Sequence, residues 1–552
     1  MAAVRKLLVV VSFISWLSVG TAFGSAANAY VTSSGGAVGN CPSGATTFTP
    51  AQFNSSANWG SGASQIGPGT TVLICGTFTI PANTSGFTTQ GNGTSSSPII
   101  ILFDTGAVVQ SATPGQLPGG CPTCLGLITV NNSDIVVDGQ NTGIIQSTST
   151  AAGQPSGCAS NGCLGIDIRD VSNVIIRNLT IQDIYNNNPA GSGSAGFYTG
   201  DIFIETGATG IEICNNTLNN AHTGIWSDTT GSNSSPPAAT QASCNSNTFS
   251  AGTNYFLNTI SDHGWSISLN GGSGSPNIYN NALTSWTNWG NQADATYHTD
   301  GIITYSDGAT KISPYIFNNS FIGDLGTASA TGMIFCTYNG TNGGSSCTVF
   351  NNVFVGQGAC ATGQCAAVYI HAGSLGPNYF YNNTFLNFGV ADIYAESDTS
   401  MDLSVENQIF LGCSECVTWG YSKNDTNYKN LLVWDHDAGY TLNPGGGYNS
   451  KTFSQWQSLG FDTNGVYGNP NISSAPPYTP SAGSSAIGLG ANLTSSCSGV
   501  LTALCTGAPQ TFGAGGSCGS GCLSRSSSGA WDAGAYPYTA LAPPTKLSAV
   551  VN

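Results

Sequence analysis

The 552-residue chain carries only 10 Lys+Arg against 26 Asp+Glu, 7% charged residues in all, for a formal net charge of −16. A chain so poor in cations is not suited to hold nucleic acid or an anionic membrane. It also repels polyuronates unless a cation such as Ca²⁺ bridges the two.

The N-terminus reads as a secretory signal. Arg5 and Lys6 precede the apolar run LLVVVSFISWLSVG, and Ala27-Asn28-Ala29 has the small-x-small form of a signal-peptidase site. Residues 1–29 are therefore expected to be removed and the product secreted. The mature chain keeps 8 Lys+Arg against 26 Asp+Glu, a net charge of 8 − 26 = −18. The 18 cysteines fall into near neighbours: 41/75, 121/124, 158/163, 214/244, 336/347, 360/365, 413/416, 497/505 and 518/522. Nine local disulfides suit an oxidising compartment. Cys121-Pro-Thr-Cys124 and Cys413-Ser-Glu-Cys416 also have zinc or redox spacing, but export favours the disulfide reading.

Residues 30–100 are expected to form an N-terminal cap. PAQFNSSANWGSGASQI suits a short amphipathic helix, and GTTVLICGTFTI and SPIIILFDTGAVV suit strands. From 101 to 440 a word of the form apolar-x-Asn-Asn-x-Phe/Leu recurs. It is found at Asn178, Asn216, Asn247, Asn281, Asn319, Asn352, Asn383, Asn407 and Asn430, with spacings of 23 to 38 residues. Most copies are followed by a second apolar strand: GIWSD, GWSIS, GIITY, GMIFC, VYIHA, DIYAE. Such a period is the mark of a solenoid. Short β-branched and aromatic strands with Asn at the turns predict an all-β, right-handed parallel β-helix, its Asn stacked as an internal ladder about 4.8 Å per turn. Residues 441–540 should close the last turns and lie back on the solenoid as a disulfide-rich cap, and 541–552 form a tail.

The repeat, the IGPGTTVLICGTFT…GNGTSSSPIIILFDTGA segment and the C-terminal SAIGLGANL…WDAGAYPY together resemble secreted β-helix proteins of the pectin lyase-like superfamily. That resemblance implies the fold, and it allows glycoside hydrolases, polysaccharide lyases and non-catalytic surface proteins.

The densest chemistry lies in Trp286–Asp307, which holds Asp294, Asp300, Asp307, His298, Trp286, Trp289, Tyr297 and Tyr305. Aligning the Gly-led strands places His263 next to Asp300 on adjacent turns. Alternation turns Trp226 and Asp228 outward. Asp228, Asp262, His263, Asp294, His298 and Asp300 then form one acidic face, continued upstream by Asp167, Arg169, Asp201 and Glu205 and downstream by His371, Glu396 and Asp398. HTDG (298–301) is similar to the Asn-Thr-Asp-Gly word of polygalacturonase-like glycoside hydrolases, and DHGWSIS (262–268) resembles their Gly-His-Gly-x-Ser-Ile word. The resemblance implies that Asp300 is a catalytic carboxyl and His263 its helper. The two words run here in reverse order and no Arg-x-Lys is found, so the galacturonan specificity is not carried over.

The expected function is hydrolysis of a neutral or weakly charged polysaccharide by a monomeric secreted enzyme. Asp300, Asp294, Asp228, His263 and His298 are the catalytic candidates. Trp226, Trp286, Trp289, Tyr297, Tyr305, His371, Glu205 and Asp201 are the substrate-binding candidates. No metal site is assigned, and calcium is the only cofactor entertained. The alternatives are a Ca²⁺-dependent polysaccharide lyase and a non-catalytic carbohydrate-binding or cell-surface β-helix protein.

Overall fold

The computed structural model describes residues 27–538 except 45, 82–83, 115–125, 149–162, 185–198, 229–243, 251, 271–275, 287–298, 306–311, 327–330, 337–345, 358–364, 372–376, 389–390, 396–401, 414, 420–425, 430–431, 435–439, 443–448, 475, 477 and 508–523. Of the segment expected to be a signal, residues 1–26 lie outside this set, while Ala29 belongs to the strand Ala29–Val31 and pairs with Val72.

Three parallel sheets wrap one interior, and the chain visits them in turn. Sheet A includes Ile99–Phe103, Thr209–Cys214, Asn277–Tyr279, Tyr315–Phe317 and Pro377–Tyr381. Sheet B includes Val108–Ser111, Ala282–Thr284, Ser320–Gly323 and Thr384–Leu386. Sheet C includes Leu164–Ile168, Gly200–Ile204, Asp300–Tyr305, Thr331–Cys336 and Cys365–Ile370. Each strand pairs in parallel with the equivalent strand one turn later, as in Tyr279↔Phe317↔Phe350 and Leu283↔Phe321↔Phe354. That register makes the molecule a parallel β-helix.

The Asn-Asn word is the A-to-B corner. Its first residue takes a left-handed backbone, with φ of 53° at Asn215, 56° at Asn280 and Asn318, 55° at Asn351 and 52° at Asn382. Asn tolerates that region better than other β-carbon-bearing residues. Its second residue points inward and builds the ladder. Asn319 Oδ1 accepts from Asn281 N at 2.9 Å and Asn281 Nδ2 at 3.0 Å, while its Nδ2 donates to Ile278 O at 2.9 Å and to Asn352 Oδ1 at 3.0 Å. The ladder runs Asn216, Asn258, Asn281, Asn319, Asn352, Asn383 and ends on Gln408. Asn247 is no rung. It lies outside the wall and accepts from Arg177 Nη2 at 2.7 Å. The turn it was expected to mark is made by Leu257-Asn258, where Leu257 itself holds φ at 60°.

The Phe of the word stacks in the interior: Phe321, Phe354, Phe385 and Phe410 follow one another at 4.8, 4.8 and 5.1 Å. A second ladder, Phe256, Tyr279, Phe317 and Phe350, stands on the outer face of sheet A. Val500, Leu504 and Trp531 of the C-terminal segment pack on it. At the N-terminal end the expected helix is shorter than its sequence allows, Pro50–Phe53, capped by Thr49. Phe53 closes the interior against Trp59 and Phe87. At the other end the helix Phe453–Ser458 buries Phe453 and Trp456.

The neighbour pairing of cysteines holds for the five pairs described at both ends, 41–75, 214–244, 336–347, 413–416 and 497–505. Among the described residues no helix is long and apolar enough to cross a membrane.

Candidate active site on the outer face of sheet C

The register of sheet C decides which side chains meet. It is set by an inward column of Ile202, Ile225, Ile267, Ile302, Ile334, Val368 and Ile393. The Gly residues do not keep that register. Asp300 pairs with Trp265 on one side and Gly332 on the other, whereas His263 pairs with Ala221. The expected His263–Asp300 stack is therefore not formed. Burial of the isoleucines outweighs any alignment of glycines, because a slipped strand would turn its apolar set outward.

Asp300 is fully buried, and its Oδ1 accepts from Gly332 N at 2.9 Å. His263 and Asp201 are also at 0% exposure and bond to each other inside the solenoid, Nε2 to Oδ2 at 2.8 Å. A side chain at Gly224 would run into Ser266 O at 2.5 Å and reach His263 Nε2 at 3.4 Å, so glycine leaves that ring its room. Desolvation pushes His263 down to about 3 and Asp201 well above the usual carboxylate range, which makes this a neutral interior pair. Trp286, expected on the surface, is fully buried and donates Nε1 to Ser266 Oγ at 2.9 Å. His371 is half-buried with its ring 6.1 Å from Phe335. Trp289, Asp294, Tyr297, His298, Asp307, Glu396, Asp398 and the side chain of Tyr305 lie outside the described residues.

Upstream on the same sheet the carboxylates do converge. Asp167 is on an outward position, in register with Phe203 and then Trp226. Arg169, Glu205 and Asp228 follow the ends of their strands, each backbone N–H continuing the ladder to Val130, Ile168 and Ile204. Arg169 bridges two of the acids, Nε to Asp167 Oδ2 at 2.7 Å and Nη2 to Glu205 Oε1 at 3.0 Å. Asp167 is fully buried while the Arg169 and Glu205 side chains are 22% and 25% exposed, so the cluster opens to solvent on the Glu205 side.

Burial, and next the negative charge of Glu205, push Asp167 up to about 8 against the pull of Arg169. Burial also raises Glu205, with Asp228 adding to it, while Arg169 and a hydrogen bond from Asp167 hold it down. Asp167 Oδ1 has no donor facing it. At neutral pH Asp167 is thus a carboxylic acid beside Glu205, its proton kept chiefly by burial.

An aromatic group adjoins the acids. Trp226 stands edge-on to Phe203 at 5.5 Å and to Trp265 at 6.5 Å, and Trp265 lies 4.9 Å from His222. Sequence reasoning placed Asp167 and Arg169 only as a continuation of the face. The signal available was Asp-x-Arg at alternate outward positions with Glu205 one turn later.

Burial also pushes His222 down to about 4. Its folded value lies below its unfolded one, so the stability it supports is complete above 6.5 and lost as pH falls toward 4. The Tm advantage of wild type over His222→Gln should therefore shrink on acidification through that window. A pH-independent difference would show that His222 is not held neutral.

No protein-family model and no curated protein matches the sequence. Solved structures do match. One is a pectate lyase, Pel9A, at 13% identity over 77% of this chain and 84% of that one, TM-score 0.35. A second is the GH136 lacto-N-biosidase from Eubacterium ramulus, at 12% identity, 75% and 65% coverage and TM-score 0.39, so the chain spans just under two thirds of it. A third is the GH87 alpha-1,3-glucanase from Streptomyces thermodiastaticus, at 11%, 78% and 72%, TM-score 0.29. The likeness is one of fold.

Proposed function

We propose that this protein is a secreted glycoside hydrolase acting on a neutral or weakly charged polysaccharide, with its acid–base pair at Asp167 and Glu205. The observation that carries this reading is the fully buried Asp167, held together with Glu205 by Arg169 on the outer face of sheet C, where burial pushes the Asp167 carboxyl up to about 8. Asp167 donates its proton to the glycosidic oxygen as the bond to the anomeric carbon breaks. Glu205 attacks that carbon from its ionised side. Asp167, now a carboxylate, then takes a proton from the water that releases the glycosyl group. This double displacement through a glycosyl-enzyme would retain the anomeric configuration.

Lyase chemistry finds less support. It needs a free base and a cation for the uronate. Arg169 is committed to two carboxylates, and Arg177 is locked to Asp138 and to the carbonyls of Cys244 and Ser246. The mature charge of −18, from 8 − 26, also disfavours a polyanionic substrate.

The test is a panel of glucans, xylans, mannans, galactans and pectins, with Ca²⁺ or chelator, read for new reducing ends and for the absorbance of unsaturated uronates. New reducing ends without that absorbance are expected. Unsaturated product that disappears with chelator would instead establish the lyase. The rate should also fall as pH rises through about 8, where Asp167 loses its proton. A rate that keeps rising through that region would exclude Asp167 as the acid.

A further inference from the structure

Far along the solenoid from the outward acids, three ligating side chains meet in the interior. Asp392 belongs to the strand Ala391–Ala395, between Ala391 and the inward Ile393. The next strand pairs Ala391 with Glu415 and Ile393 with Val417, which sets Asp392 beside Cys416 one turn on. Asp392, Cys413 and Cys416 are all at 0% exposure. One carboxylate oxygen of Asp392 and the two sulfurs all lie within 4.8 Å of one another. Neither oxygen of Asp392 has a hydrogen-bond partner. A buried carboxyl with both oxygens unsatisfied is costly in an apolar interior. It is also the donor that a pair of nearby sulfurs lacks to become a three-point site.

We propose that Asp392, Cys413 and Cys416 form a redox-gated site for a thiophilic divalent cation of the zinc class. In the oxidised protein the two sulfurs are joined and the site is closed. A dithiol reductant opens it: the reductant is oxidised to its cyclic disulfide, the Cys413–Cys416 bond takes up two electrons and two protons, and two thiols result. The cation then displaces one proton from each thiol and one from the Asp392 carboxyl, releasing three protons. It binds two thiolates and one carboxylate, and water completes a tetrahedral set. The site is independent of the acids on sheet C, and it would stand if the hydrolase reading fell.

The experiment uses the full mature chain, oxidised or reduced with dithiothreitol, and Co²⁺ as the probe. The reference is Cys413→Ser/Cys416→Ser treated in the same way, because other disulfides are reduced too. Reduced wild type should bind about one equivalent more Co²⁺ than this variant, as the three-ligand set requires, and show thiolate-to-cobalt charge transfer. Asp392→Asn should weaken binding by more than the roughly 10–100-fold that an outer-shell partner costs. Equal binding by wild type and the double variant overturns the proposal, as does undiminished binding by Asp392→Asn. If reduction unfolds the chain, refolding in reductant with Cd²⁺ gives the second measurement. The site requires that Cd²⁺ restore the β-sheet signal and shield Cys413 and Cys416 from alkylation in mapped peptides. Free alkylation of both in the presence of Cd²⁺ overturns it.

Discussion

Asp167→Asn is expected to lower kcat/KM on whichever glycan the panel identifies by about 10²–10⁴-fold, the range lost with a general acid. The amide keeps the size of the side chain and still accepts from Arg169 Nε, so the 2.7 Å hydrogen bond survives while the transferable proton is gone. Glu205→Gln should cost at least as much, because it removes the carboxylate that meets the anomeric carbon. The two losses should not add. Residues that act as one unit lose most of their effect with the first substitution. Asp300→Asn is the contrasting variant. Asn retains an acceptor for Gly332 N, so the strand stays in place and the rate should remain near wild type. A large loss there with none at Asp167 would move the chemistry back to the segment around Asp300.

Asn319→Ala is expected to be the most damaging single change in the scaffold. The Asn319 side chain makes four hydrogen bonds, to Asn281 N, Asn281 Nδ2, Ile278 O and Asn352 Oδ1, all inside a closed interior. Alanine leaves Asn281 N without its acceptor, at about 1–3 kcal/mol, and takes one bond each from Ile278 O, Asn281 Nδ2 and Asn352 Oδ1, the last two of which keep Tyr255 O and Asn319 N. Neighbouring amides relax toward one another, so a loss of about 4–6 kcal/mol is expected rather than the full sum. Urea unfolding midpoints check it. Asn319→Asp is informative beside it: the carboxylate keeps both acceptor bonds and loses both donor bonds, and it adds a buried charge. A change near zero for Asn319→Ala would mean that water enters the corner, and that the ladder is not what holds the turns in register.

The same Asn residues explain why the fold was legible. Asn at a left-handed corner followed by Asn in a ladder meets a local need that recurs from turn to turn, so it repeats in the sequence with the period of the solenoid. It failed where the corner was made otherwise. Leu257 occupies the left-handed position before Asn258, and CNSNTF at Asn247 offered a closer sequence match that in fact lies outside the wall. The stacked Phe of the word were equally readable, since one face of sheet B is apolar at every turn.

The candidate site was less legible because its register depends on tertiary burial. Gly224, Gly264, Gly301 and Gly332 look equivalent along the chain, yet the inward isoleucines place Ser266 rather than Gly264 opposite Gly301 and shift His263 away from Asp300. Asp201 was expected as an upstream continuation of the acidic face, but two inward residues in succession, Asp201 and Ile202, put it in the interior with His263. Trp286 follows the same logic. A Trp in a Gly/Asn-rich insertion reads as exposed, but its ring completes the core beneath Ser266. Asp228 was placed outward by alternation and Glu205 as a continuation of that face, and Arg169 joins Glu205 to Asp167 there.

The most direct test of the central claim is the protonation state of Asp167, and it requires no substrate. The infrared difference between wild type and Asp167→Asn isolates this carboxyl from the other buried acids. The structure predicts a protonated carboxyl band at neutral pH that is lost as pH rises through about 8. Absence of that band at neutral pH would make Asp167 an ordinary ion-pair partner of Arg169, and the proposed catalytic acid would not exist.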